Sequence, residues 1–475
     1  MNWQIRYAVI AGYLLIITTR ASAELDPFSV EKNISVSPAK NMMANNTVNN
    51  SCHWEGVTSS VDLLEAVERA LCYNPQTRQA WANVKIQAAQ VGVAESAYLP
   101  TVNMSASYSY GPNSYQVQDT PELSYNSKTT ARNMGLNTNW VLFDFGLRRA
   151  NLEKSRQLLI AANATQDATL QTVFILAAQS YYDLLSAQSA LDAYLESEKF
   201  SEESFKAAEA KYIAGVGTLA DKLQAQTDFA QAKLDRVKAV GDLKIAQGTL
   251  ALAMGLDANA LVMAKVDTRD IPDTAFVTSV DQLIADAKRT HPTLLAAQAD
   301  LAAAKANISA IQDEGLPSVS LIGGMNRNHQ AGQPPSAIDN NNSSIGIQVT
   351  IPLFEGFGRN YQVRVAQAQA ESKAADLADT EQKVSLDVWK NYQILVMETE
   401  NLNMTQELLS SARQSFDVAR GRYKAGVGNL IELLNAQNAL AKAEQQRVQA
   451  LSNWHVARLK LANSLGRLGF WALHA

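Results

Sequence analysis

Lys211-Tyr212-Ile213-Ala214-Gly215-Val216-Gly217 returns 211 residues later as Arg422-Tyr423-Lys424-Ala425-Gly426-Val427-Gly428. The same offset carries Leu223-Gln224-Ala225-Gln226 onto Leu434-Asn435-Ala436-Gln437, Leu142-Phe143 onto Leu353-Phe354, and Gly255 onto Gly466. Nearer the N-terminus the offset is 217, matching Asn74-Pro75 to His291-Pro292, Ala80 to Ala297 and Leu99-Pro100 to Leu316-Pro317. A period near 200 residues is too long for a solenoid, so the chain is two copies of one unit. The six-residue change of offset falls between the two strand-like segments of each half, which predicts an exposed loop tip there.

Around the repeated turn the pattern is helical. Val388, Leu395, Leu402, Leu409, Phe416 and Tyr423 recur every seven residues, and Ala177, Leu184, Leu191, Phe205 and Tyr212 form the equivalent stripe, broken at Glu198. A seven-residue seam specifies left-handed pairing with a neighbouring helix. At 1.5 Å per residue, the stretch from Gly146 to Ala214 predicts ~100 Å of helix. Leu219, Leu223, Ala230, Leu234 and Val237 begin the return helix, echoed by Leu430, Leu434, Ala441 and Val448. Gly215-Val216-Gly217 superficially matches a dinucleotide fingerprint, but such a cradle needs a preceding strand. Between two helices these glycines, and Gly426-Val427-Gly428, read as helix C-caps and interhelical turns.

Before the long helices the period changes to two. Val102, Met104, Ala106, Tyr108 and Tyr110 alternate with Thr101, Asn103, Ser105, Ser107 and Ser109. Met134, Leu136, Trp140 and Leu142 alternate with Asn133, Asn137 and Asn139. In the second copy Ile345, Ile347, Val349, Ile351 and Leu353 alternate with Ser344, Gly346, Gln348 and Thr350, preceded by Val319, Leu321 and Met325. An apolar face opposite an uncharged hydroxyl and amide face fits a transmembrane β-barrel wall with a wet lumen. Strands are predicted over 101–110, 133–142, 317–325 and 344–353, with surface loops at 111–130 and 327–342, where Pro, Asn, Ser and Gly collect.

The 475 residues are 47% hydrophobic but only 7% aromatic, a composition of long helices rather than of a large globular core. A net charge of −5 without a basic stripe argues against nucleic acid. Arg6, the apolar run Tyr7 to Ile17 and Ala21-Ser22-Ala23 read as a signal peptide cleaved before Glu24. No later run is long and apolar enough for a membrane helix. Cys52 and Cys72, an even pair in an exported chain, read as a disulfide. The five histidines are scattered without ligand spacing, and no catalytic triad, nucleophile elbow or Walker motif occurs, so no enzyme activity, metal or cofactor is expected. The expected organisation is a signal peptide at 1–23, a polar segment at 24–60, a first repeat at 61–255, a linker at 256–280, a second repeat at 281–466 and a tail at 467–475.

In their order, and doubled, several motifs resemble the TolC family of outer-membrane efflux proteins across residues 61 to 468. They are Asn74-Pro75 before a helix, Ala97-Tyr98-Leu99-Pro100 opening a strand, Leu142-Phe143-Asp144 and Leu353-Phe354-Glu355 closing one, and the paired Tyr-x-Ala-Gly-Val-Gly turns. The cysteine pair with Leu71-Cys72-Tyr73-Asn74-Pro75-Gln76-Thr77-Arg78 is similar to the CyaE-like type I secretion branch, which serves adenylate cyclase-haemolysin toxin. The resemblance implies an α+β membrane protein in which partner protomers complete a β-barrel continued by an α-helical tunnel. It implies a homotrimer in outer-membrane lipid, docked through the turns at Gly215, Val216, Gly217, Gly426, Val427 and Gly428 to a periplasmic adaptor (membrane fusion protein). An inner-membrane ABC or proton-driven transporter supplies the energy. Export of a protein such as a toxin is the leading expectation. The alternatives are multidrug efflux and a periplasmic coiled-coil adaptor, though the latter has no use for duplicated apolar-faced strands.

The resemblance further implies a periplasmic gate, with Glu432 and Asn435 in an acidic-ring position and Asp221 and Tyr423 as polar ties. Gly428 and Asn435 depart from the family pattern, where a tying Arg and a second acid stand, which predicts a less strongly latched closed state.

Overall fold

The computed structural model describes residues 26–34, 52, 60–116, 118–265, 279–331 and 338–469. The expected signal segment, its cleavage before Glu24 and most of the polar segment at 24–60 lie outside the described residues. The two copies match helix for helix: α1 (Leu63–Tyr73) and α5 (Val280–Thr290) have 11 residues each, and α2 (Pro75–Ser96) and α6 (Pro292–Asp313) have 22. The long helices α3 (Leu147–Ile213) and α7 (Gly358–Lys424) have 67 each, and the return helices α4 (Leu219–Ala253) and α8 (Leu430–Ser464) 35 each. Contacts divide the chain into two compact units, one from Met1–Ile34, Lys85–Ile160 and Ala299–Ala375, the other from Ser35–Val84, Ala161–Gln298 and Asp376–Ala475.

The first unit holds a four-stranded antiparallel sheet in the order β2-β3-β5-β6, made of β2 (Thr101–Tyr115), β3 (Tyr125–Phe143), β5 (Ser318–Ala331) and β6 (Ile338–Thr350). Each copy contributes one hairpin, and β3 pairs with β5 to join them. The strands run further than the sequence suggests, through much of the expected loops at 111–130 and 327–342. Once a ladder is nucleated, Asn- and Ser-rich backbone still gains its hydrogen bonds by continuing it. At the other end β6 stops at Thr350, two residues before Pro352, which lacks the N–H a ladder needs. Register places Met104 opposite Leu136, Leu136 opposite Met325, and Leu321 opposite Ile347. The apolar residues therefore share one face. The other face carries Ser105, Asn137, Asn326 and Gln348 in register with their like.

Each hairpin passes into a long helix through the same device. Asp144 accepts from the Arg148 guanidinium at 2.8 Å while Arg148 donates to the carbonyls of Val141 and Leu142. In the second copy Arg359 pairs with Glu355 at 2.7 Å and donates to the Ile311 carbonyl. Two consecutive residues take positive φ at each junction, Phe145 (54°) with Gly146 (120°), and Gly356 (63°) with Phe357 (63°). The left-handed region is costly for Phe, and the arginine clamp holds the chain there.

In the second unit a short parallel pairing joins β1 (Ser60–Val61) to β4 (Met263–Ala264), over a cluster of Val61, Tyr181, Leu184, Leu250 and Met254. The expected linker is thus structured at its start. Cys52 and Cys72 are disulfide-bonded, and Tyr73 Oη donates to the Cys52 carbonyl at 2.6 Å. Closing a loop with a sequence separation of 20 restricts the unfolded chain by roughly 3 kcal/mol. Beside it Leu71, Leu170 and Phe174 bury Leu468, so the expected tail is packed where it begins.

The predicted seam is buried at Val388, Leu395, Leu402 and Phe416. Leu219, Leu223, Leu234 and Val237 are exposed in the single chain, and Ala225, Ala232 and Ala239 are buried instead, at seven-residue spacing. The duplicate seam continues through Ala436, Ala443, Ala450 and Ala457. Small side chains let helix backbones approach closely, and in α8 Leu430, Leu433 and Leu434 are buried beside them. Among the described residues no helix is long and apolar enough to cross a membrane.

Candidate gate at the helical turns

Both interhelical turns close in the same way. The Lys211 carbonyl accepts from Val216 and Gly217 N–H at 3.0 and 2.9 Å, and the Arg422 carbonyl accepts from Val427 and Gly428 N–H at 3.1 Å each. Gly215 and Gly426 both take φ 74°, the left-handed C-cap that glycine adopts without steric cost. A Cβ on Gly217 would lie 2.9 Å from Lys211 Cβ and 3.1 Å from the Tyr212 nitrogen, so the second glycine serves close approach. The following helices are capped by side chains. Thr218 Oγ1 accepts from Asp221 N–H at 3.1 Å and donates to its carboxylate at 2.7 Å, and Asn429 Oδ1 accepts from Glu432 N–H at 2.7 Å.

These caps place an acid in the first turn of each return helix, where the N-terminal dipole favours negative charge. Glu432 and Asn435 line an open groove of about 870 Å³ with Asn429, Ile431, Gln414 and Val418. Arg422 Nε lies 3.3 Å from Glu432 Oε1, a partner that neither the heptad nor the repeat singles out. Tyr423 packs among Ala208, Ala225, Leu430 and Leu434, with the Lys211 ammonium 4.0 Å above its ring. Among the described residues no hydrogen bond joins Asp221 to Tyr423 within one chain. The buried Gln437 is a further tie, donating to the Ser197 carbonyl at 3.1 Å and to Ser201 Oγ at 2.9 Å, and so holding α8 to α3. Its repeat with Gln226 was the available signal.

The arrangement holds structural caps, weak ion pairs and an open groove, and among the described residues no cluster of three His, Cys, Asp or Glu is placed for a metal. An open, one-face-apolar sheet attached to paired coiled-coil hairpins defines a channel protomer. The chain belongs to the outer membrane efflux protein family, which it matches over residues 56–256 and 283–467. It is 30% identical to Protein CyaE of Bordetella pertussis over 86% of this chain and 84% of that one. To Outer membrane protein TolC of Escherichia coli it is 22% identical, over 87% and 84%. The fold is similar to that of the Campylobacter jejuni CmeC outer membrane channel, with a TM-score of 0.76 at 17% identity, covering 90% of this chain and 93% of the other. Members of this family are channels rather than enzymes, and this chain is an outer-membrane channel of the efflux and export type.

Proposed function

We propose that three copies form the exit duct of a tripartite system performing type I secretion of a protein. The observation that carries the oligomer is the pair of open sheet edges, β2 and β6. Four strands cannot close a barrel, since the smallest have eight, and three copies supply twelve. Exposed Leu219, Leu234 and Val237 on α4 supply the apolar surface that neighbouring hairpins cover. The glycine turns at Gly215–Gly217 and Gly426–Gly428 meet the periplasmic adaptor, and an inner-membrane transporter supplies the energy. The 30% identity with CyaE favours protein export over drug efflux.

At the tunnel mouth three Glu432 carboxylates form an acidic ring, with Asn435 beside them and Asp221 and Tyr423 as ties between hairpins. With Gly428 in place of a tying Arg, the closed state is weakly latched. The export reading is tested by crosslinking the full chain in its native membranes and identifying what co-purifies. An adaptor with an ABC transporter supports secretion; a proton-driven pump in its place points to multidrug efflux and overturns it.

A further inference from the structure

Every charged side chain of the four strands stands on the apolar face, and at one end of it. Following the register across β2, β3, β5 and β6, Met104, Leu136, Met325 and Ser343 form an uncharged row. The next row towards the hairpin tips is Ala106, Met134, Arg327 and Asn341, and the one after it Tyr108, Arg132, His329 and Asp339. Lys128, opposite Pro112, lies two rows further. Below Arg327 the face opens into a shallow cavity of about 420 Å³, floored by Met104, Met134, Leu136 and Met325 and bounded by Arg327 and Asn341.

The height of these cations matches a membrane surface. Arg132 stands ten residues along β3 from Leu142, which at ~3.3 Å per residue and a 35–45° tilt is ~25 Å along the bilayer normal, the depth of an outer-membrane apolar band. Trp140, its indole donating to the Tyr98 carbonyl at 2.9 Å, marks the lower interface, and Tyr108 and Tyr110 the upper. At the upper level His329 Nδ1 and Asp339 Oδ1 are hydrogen-bonded at 2.8 Å, so the one carboxylate of the four strands is already engaged. Arg132 lies 5.9 Å from the Tyr108 ring centroid, within cation–π reach of it. Guanidinium groups bind phosphate bidentately, and methionine adapts its shape to an alkyl chain.

We propose that this patch binds a phosphorylated acyl lipid of the outer leaflet, with an acyl chain in the methionine-floored cavity and its phosphate held by Arg327 and Arg132. The proposal rests on the assignment of the apolar face to lipid. Neither an aromatic belt nor general membrane exposure calls for two arginines over a cavity.

The test uses the full-length oligomer in non-ionic detergent, incubated with a bis-phosphorylated acylated glucosamine disaccharide or its dephosphorylated form, with bound lipid read by native mass spectrometry. The phosphorylated lipid should be retained preferentially, and Arg132→Gln and Arg327→Gln should each lower that retention about fivefold without changing retention of the dephosphorylated lipid. Equal retention of both lipids by the unaltered protein, or undiminished retention by the double variant, overturns the site. A spin label at Met104→Cys, read in vesicles with a lipid-phase relaxation agent, separates the two claims. A label out of reach of lipid overturns the wall assignment, whereas a label bathed in lipid without phosphate preference overturns the lipid site alone.

Discussion

At the residue scale, the charge at the turns is shared between Glu432 and Arg422. Three carboxylates ~6 Å apart repel by ~0.7 kcal/mol per pair in water and attract cations, while the ion pair within each protomer offsets part of that field. Glu432→Ala should therefore weaken block by divalent cations and reduce cation selectivity. Arg422→Ala should strengthen both, and identical block in all three proteins in planar bilayers would remove the ring. His291 stands at the start of α6, next to Pro292. Its Nδ1 accepts from Thr293 N–H at 3.3 Å, and burial lowers its pKa below the usual histidine value, opposed by Asp387. The unfolded chain takes the proton first, so this site's contribution to stability is complete above about pH 6.5 and falls as pH drops below it. In the first copy Asn74 fills the same place, its Oδ1 accepting from Gln76 N–H at 2.8 Å. His291→Asn should keep the cap and flatten the fall in unfolding temperature between pH 7 and 5; an unchanged slope would assign the acid sensitivity elsewhere.

At the element scale, the strands test the wall. Leu136→Arg, midway between Arg132 and Trp140 on the apolar face, places charge near the bilayer midplane and should cost about 2–4 kcal/mol, whereas Asn137→Arg on the opposite face should mainly change conductance. Equal tolerance in folding yield and oligomer stability would refute the alternation. These strands were legible because one face bears no charge from Thr101 to Tyr110 and from Ser344 to Thr350. Their extension to Tyr115 and Ile338 was not, because Asn- and Ser-rich sequence reads as loop until a neighbouring strand satisfies its backbone. The long helices were legible from the heptad. On α4 the repeated Ala225, Ala232 and Ala239 carry the contact within one chain, while Leu219, Leu223, Leu234 and Val237 stand exposed. Of the candidate gate, duplication exposed the turns and their caps, but Arg422 lies across the turn from Glu432 and only folding brings it near.

At the scale of the whole molecule, the single chain leaves two sheet edges unpaired and Leu234 and Val237 of α4 64% and 59% exposed. If neighbouring protomers cover them, Leu234→Asp should dissociate the oligomer while leaving the protomer's helical content intact, as read by native mass and circular dichroism. An unaltered oligomer would place the interface on another face. If copies of this chain enclose a gated duct, the purified oligomer in a planar bilayer should open discrete cation-selective channels that divalent cation added from the helical side blocks and that reopen on chelation. An inserted oligomer that conducts nothing, or whose current is indifferent to divalent cation on either side, would contradict a gated duct.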